Sequence, residues 1–217
     1  MRETELNTET TAPELTTTQY LLPLGTAKSI ASLIAFADTS RGNTALALSL
    51  VKVVFNGYGI AATATDRYGV IFATLETTET TTGTIYLDAS ACKFITSIKV
   101  AKGHNPMITF DVINGNLTIK ANDASITVRQ FSGNYPDTAT LMDKFQYATE
   151  AKPVSLKIDL LAKLGKIVDV DGSKIDAWNF HLGEISLGLN GQERPAPIVA
   201  KRLGFTALIQ PMLKLGN

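Results

Sequence analysis

Few residues in this chain of 217 could do chemistry. There are two histidines, His104 and His181, and a single cysteine, Cys92. Multi-histidine metal binding and proton relays are therefore poorly supplied, and one thiol excludes both a disulfide framework and a cysteine-based zinc site. Cys92 falls in a helical pattern with no basic pair beside it, the setting of an inert small side chain. His181 alternates with Trp178 and Phe180 along a strand, a structural position. Asp66 has no second carboxylate at a useful distance for general acid–base work. The run Asp169-Val170-Asp171-Gly172-Ser173-Lys174 resembles a calcium loop, but it lacks the full ligand series and the terminal glutamate, and it reads as a helix-ending turn. Neither a Gly-x-x-x-x-Gly-Lys-Ser/Thr run nor a Gly-x-Gly-x-x-Gly run occurs. The expectation is a protein without catalytic residues, metal or cofactor.

Charge is what remains. The 20 Lys+Arg balance 20 Asp+Glu, so attraction of nucleic acid by bulk charge is excluded while a local basic surface is not. With 45% hydrophobic and 18% charged residues, the chain is expected to fold. No apolar run is long enough to span a membrane, and no basic-then-apolar leader opens the sequence, so the expected address is cytoplasmic.

The elements that would position these residues follow a long period. Residues 1–18 are almost all Thr, Glu and other polar types and are expected to form a disordered tail. Beyond them, Asn-Gly occurs three times after apolar runs, at Asn56-Gly57, Asn114-Gly115 and Asn190-Gly191, each a type I′ hairpin signal. Helical spacing precedes each: Ala27, Ile30, Ala31, Ile34 and Ala37; then Ala91, Phe94, Ile95 and Ile98, opened by Asp88; then Leu160, Leu161, Leu164, Ile167 and Val168, opened by Asp159. Each stripe covers one face, so each helix should lie on a sheet. Strands are expected over 46–55, 60–65 and 70–75; over 84–87, 107–113, 117–121 and 126–131; and over 154–158, 177–182, 185–189, 197–200 and 205–209. The fold class is α+β: three repeated β-α-β-β-β units with antiparallel sheets outside and helices on one side. Two units would make a domain over 19–142, and 143–217 would be a third, half-domain unit.

Three segments carry a resemblance. Ala64-Thr65-Asp66-Arg67-Tyr68-Gly69-Val70 resembles the Ala-Thr-Asp-Gly-x-Arg-Leu segment of bacterial DNA polymerase III beta subunits, the sliding clamps. Gly133-Asn134-Tyr135-Pro136-Asp137 is similar to the segment closing each clamp domain, and Gln210-Pro211-Met212-Leu213-Lys214-Leu215 to the clamp C-terminus. The family's glycine and arginine in the first motif stand here as Arg67 and Gly69, and Gln210 replaces its first methionine.

The resemblance implies a non-catalytic processivity factor of the compact kind a bacteriophage encodes, acting in the host cytoplasm. It implies three kinds of partner: double-stranded DNA without sequence preference, a polymerase and a clamp loader bound through short peptides, and further copies closing a ring. A bore must attract phosphate without reading base edges. Lys28, Arg67, Lys93, Lys99, Lys102, Lys163 and Lys166 are the candidates to line it. A peptide pocket would draw Thr65, Tyr68 and Val70 from the first segment, Pro136 and Leu141 from the second, and Leu208, Pro211 and Met212 from the C-terminal end. Family rings hold twelve units of alternating orientation, so three-unit chains would need four copies related by two-fold axes. A further degenerate unit would let three copies suffice, and a dimer or an open assembly is a further alternative. The competing expectation is a β-rich structural or assembly protein, such as a virion component, with no DNA role.

Overall fold

The computed structural model describes residues 17–38, 45–101, 103–140, 158–175, 177–182, 186–187, 193–194 and 197–210. The first unit runs strand β1 (Thr17–Pro23), helix α1 (Leu24–Ser32) with a 3-10 turn (Leu33–Phe36), then β2 (Val51–Asn56), β3 (Gly59–Thr65) and β4 (Gly69–Glu76). The second repeats the order: β5 (Thr82–Leu87), α2 (Ala89–Ser97), β6 (Met107–Ile113), β7 (Asn116–Ala121) and β8 (Ala124–Arg129). The third is described from its helix onward, with α3 (Ile158–Leu164), β9 (Asn179–Leu182), the short strands β10 (Ser186–Leu187) and β11 (Glu193–Arg194), β12 (Ile198–Arg202) and β13 (Phe205–Ile209). Residues 154–157 of its expected first strand lie outside the described residues, and Ile158 opens α3 instead.

Alternation and capping explain most of these elements. β2 buries Val51, Val53 and Phe55 on one face, as period-two spacing requires. Asp88 caps α2, its carboxylate accepting the Ala91 N–H at 2.8 Å. Several boundaries differ from expectation. Thr17 and Thr18 belong to β1, opposite Ile113 and Val112, so the polar run ends in a strand. Residues 46–49 form a 3-10 turn before β2, and β8 lies over 124–129 instead of 126–131. α3 stops at Leu164, leaving Ile167 and Val168 beyond it, and Asp159 sits in its first turn. Of the Asn-Gly pairs, Asn114 and Gly115 take φ of 50° and 73°, the left-handed pair a type I′ turn needs. At the first pair only Gly57 is left-handed, because the Asn56 carboxamide is occupied in accepting the N–H groups of Tyr58 and Gly59. Asn190-Gly191 lies outside the described residues.

The first two units exchange strands. β1 pairs with β6 in a four-stranded sheet ordered β1-β6-β7-β8, while β5 pairs with β2 in the sheet β5-β2-β3-β4. Each unit lends its first strand to the other's sheet, so the two fold as one body. β4 then pairs with β13, which extends the second sheet to seven strands, β5-β2-β3-β4-β13-β12-β9. α1 packs on α2, and one continuous apolar core runs from Leu22, Ile30 and Phe36 through Ile85 and Ile95 to Leu164, Ile167 and Phe205.

α1 departs most from its one-faced pattern. Thr26, Ser29 and Ser32 are buried together with Ala27, Ile30 and Ala31. The segment after α3 covers that polar side: the Val168 N–H donates to Ser32 Oγ at 3.3 Å. A Cβ on Gly25 would stand 1.9 Å from the Val170 carbonyl oxygen, so only glycine permits this approach.

Candidate nucleic-acid interface and partner groove

The β4–β13 pairing brings three of the expected pocket residues, Thr65, Val70 and Leu208, side by side, and all three are buried. Ile71, Ala73 and Leu75 of β4 face the main core, so Val70 and Phe72 face the opposite side of the sheet. There Val70, Val199 and Leu208 form a small second apolar cluster with Phe72 against it. Register lines up Thr65, Val70, Leu208, Val199 and His181 across β3, β4, β13, β12 and β9. Thr65, Val70 and Leu208 thus stand side by side, as cross-strand neighbours about 5 Å apart. Tyr68, 66% exposed, lies just beyond the row, and its carbonyl accepts the Gln210 N–H at 2.9 Å.

The second motif crosses the same face of the sheet. Tyr135 donates from its hydroxyl to the Thr63 carbonyl at 3.0 Å and lies 3.3 Å from that of Leu50. Its ring stands near Tyr86 and beneath the Lys52 ammonium. Burial, with Tyr86 adding to it, pushes the Tyr135 hydroxyl above its ordinary pKa, so it stays a donor. Pro136 follows, exposed. Leu141, Pro211 and Met212 lie outside the described residues.

The turn between β3 and β4 is the most densely tied part of the site. Asp66 Oδ1 accepts the N–H groups of Tyr68 and Gly69, and Thr65 Oγ1 donates to the Gly69 carbonyl at 2.8 Å. The other Asp66 oxygen pairs with Lys163 of α3, so the turn is bolted to the third unit. Arg67, standing where the resembling family has glycine, takes φ of 79°, a strained conformation for a side chain of its size. Asp66 is thereby a structural tie.

The seven basic candidates separate by environment. Arg67, Lys93, Lys99 and Lys166 are exposed, with Lys93 opposite the buried Ala91, Cys92 and Ile95 of α2. Lys28 does not face solvent from a polar helix face. Its ammonium donates to the Ile98 carbonyl at 2.6 Å and closes the end of α2. Lys163 is likewise committed, to Asp66 and over the Phe36 ring. Lys102 lies outside the described residues. Spacing marks which lysines leave an apolar stripe, but it carries no sign of a carbonyl acceptor seventy residues away.

Cys92 is buried, and desolvation with the nearby Asp88 charge raises its thiol pKa well above the ordinary value. The 169–173 segment closes as a turn, through Asp169 N–H to the Ser173 carbonyl and Gly172 N–H to the Asp169 carbonyl. Among the described residues, no cluster of three His, Cys, Asp or Glu could hold a metal. None of the described helices is long and apolar enough to cross a membrane.

Two side chains that sequence reasoning missed seal sheet edges. Gln130, just after β8, pairs both amide atoms with the backbone of Tyr86 in β5, each at 2.9 Å. Glu79, just after β4, accepts the Leu21 N–H of β1 at 2.8 Å and that of Thr81 at 2.9 Å. Each follows the last strand of its unit and seals the exchanged strand of the other sheet. That symmetry is visible only once the exchange is known.

No protein-family model matches the chain, and no curated protein matches it in sequence. Solved structures do match in three dimensions. A DNA polymerase III subunit beta sliding clamp from Bartonella birtlesii aligns with a TM-score of 0.61 at 12% identity, over 92% of this chain and 66% of that one. The DNA polymerase III beta subunit of Thermotoga maritima gives 0.57 at 12%, over 90% and 65%. The DNA polymerase sliding clamp of Bacillus subtilis gives 0.55 at 13%, over 93% and 65%. This chain therefore spans about two thirds of the length of the clamps it matches. Exchanged first strands, antiparallel sheets and helices gathered on the core side are, in this chain, the DNA-clamp fold.

Proposed function

We propose that the chain is a DNA sliding clamp, a non-catalytic processivity factor that encircles duplex DNA as a ring of several copies. The observation that carries this reading is the likeness of nine tenths of the chain to clamp structures. Exposed Lys93 and Lys99 by α2, with Arg67 and Lys166, supply phosphate attraction, and none is committed to an ion pair among the described residues. Contacts of this kind hold the backbone and leave sliding free of sequence traps. The row Thr65–Val70–Leu208, with the exposed Tyr68 just beyond it and Pro136 following the Tyr135 anchored to the Thr63 carbonyl, is the proposed seat for apolar peptides of a polymerase and a clamp loader. The working compartment is the cytoplasm, a host's if the source is a bacteriophage.

The test is retention on DNA of two topologies. A ring holds on to nicked circular plasmid through a gel-filtration column and runs off the same plasmid once it is cut. Equal retention on both forms would remove encirclement and leave ordinary charge binding or the structural-protein reading.

A further inference from the structure

We infer that β8 is an interface, and that its occupant is β8 of a second copy of this chain, paired antiparallel about a two-fold axis at Thr127. Apart from the two-residue strands β10 and β11, which pair only with each other, the two larger sheets have four end strands among the described residues, β1, β5, β8 and β9. Glu79 seals β1 and Gln130 seals β5. β9 is only four residues long. β8 is six residues long, straight in register with β7, and free of proline and of inward-pointing charge. Among the described residues none pairs with its outer edge. Proteins blunt such edges unless they are used.

The hydrogen-bond alternation shows what the edge offers. Gln130 N–H donates to the Gly115 carbonyl, so Val128, Ile126 and Ala124 turn their backbone groups toward β7. Ser125, Thr127 and Arg129 turn theirs outward.

The strand is self-complementary about Thr127. That centre sets Arg129 opposite Ser125 of the second copy, so no like charges meet, and Ile126 opposite Val128. These two side chains, packed on the core but half-buried, gain cover. The polar row Gln19–Asp111–Thr118–Thr127 continues across the axis, with Thr127 and Thr118 already in contact at 2.9 Å. A head-to-tail copy would have to meet the four-residue edge of β9. The strand equivalent to β8 in the first unit is β4, and β13 occupies it. Only placing this joint in a ring rests on the clamp reading; there it supplies one of the two-fold axes that four three-unit chains need.

Light scattering without DNA tests it. The chain should show twice the 23.3 kDa protomer mass, or a higher even multiple. Thr127→Pro removes one outward N–H from each copy and should weaken association roughly 100-fold. A protomer mass for the native chain at tens of micromolar, or an unchanged mass for Thr127→Pro, overturns the inference. Thr127→Cys in a Cys92→Ala background gives an independent reading. Paired positions there lie about 5.5 Å apart, within disulfide reach, so mild oxidation should yield a covalent dimer, and Tyr58→Cys should not. An oligomer that forms no such disulfide overturns the two-fold register. Because no DNA is present, failure of encirclement and failure of this joint are separate results.

Discussion

β4 and β8 close equivalent halves of the exchanged two-unit body, yet one is buried and the other bare. β4 carries Ile71, Ala73 and Leu75 inward and Val70 outward into a second cluster, and its far edge is filled by β13. β8 has no buried residue and no strand on its far side among the described residues. The difference teaches how one motif makes two kinds of joint. Where the neighbour is in the same chain, outward positions turn apolar and the core runs through. Where the edge faces outward, they stay Ser, Thr and Arg, soluble before any partner arrives.

The comparison breaks most sharply at the centre of each edge. Ala207 of β13 is fully buried beside Ile71. Ala207→Glu should cost more than about 4 kcal/mol and melt the third unit away from the first. Thr127→Glu should alter the protomer's own stability by no more than about 0.5 kcal/mol. Urea denaturation at a concentration where light scattering gives the protomer mass measures both, and similar costs would erase the distinction.

Acid gives a smaller contrast. At Asp111 burial opposes the charged form, but Lys120 and Gln19 outweigh it and hold the carboxyl below its ordinary pKa. At Glu79 burial is likewise overcome, by the N–H groups of Thr81, Leu21 and Thr80. A depressed folded-state pKa gives stability that is complete above the unfolded value and is lost as pH falls through the folded one. Both carboxylates hold β1, whose residues Gln19 and Leu21 they bond. Below about pH 4, amides of β1 should lose hydrogen-exchange protection before those of β4, and Glu79→Gln should flatten that dependence. Equal loss in β1 and β4 would count against this account.

Smallest is the effect at the turn beside the closed joint. Arg67→Gly relieves a left-handed φ and should stabilise the fold by about 1 kcal/mol in thermal or urea melts, while weakening DNA retention in low salt. Unchanged stability would mean that the ties of Asp66 already impose the turn at no cost.

Much of this was legible beforehand, for local reasons. Periodicity found the helical stripes and most strands, because alternation of Val53 and Phe55, or spacing of Ala91 and Ile95, records a face toward a core. Thr17 and Thr18 looked like tail because their partners, Ile113 and Val112, lie nearly a hundred residues away. Distance hid the tasks of Lys28 and Lys163 in the same way, since a charge on an open helix face and a charge bonded to a remote group share one spacing. The row Thr65–Val70–Leu208 was legible only through motif resemblance, because strand pairing across units has no local signature.

The strand exchange also sets the order in which a growing chain can become itself. β1 leaves the ribosome with Tyr20 and Leu22 uncovered, and its mate spans 107–113. Neither half can mature alone, and the β4–β13 seam must wait for residue 205. For most of its synthesis this polypeptide is a set of sticky ribbons in search of later ones, a state that chaperones exist to shelter.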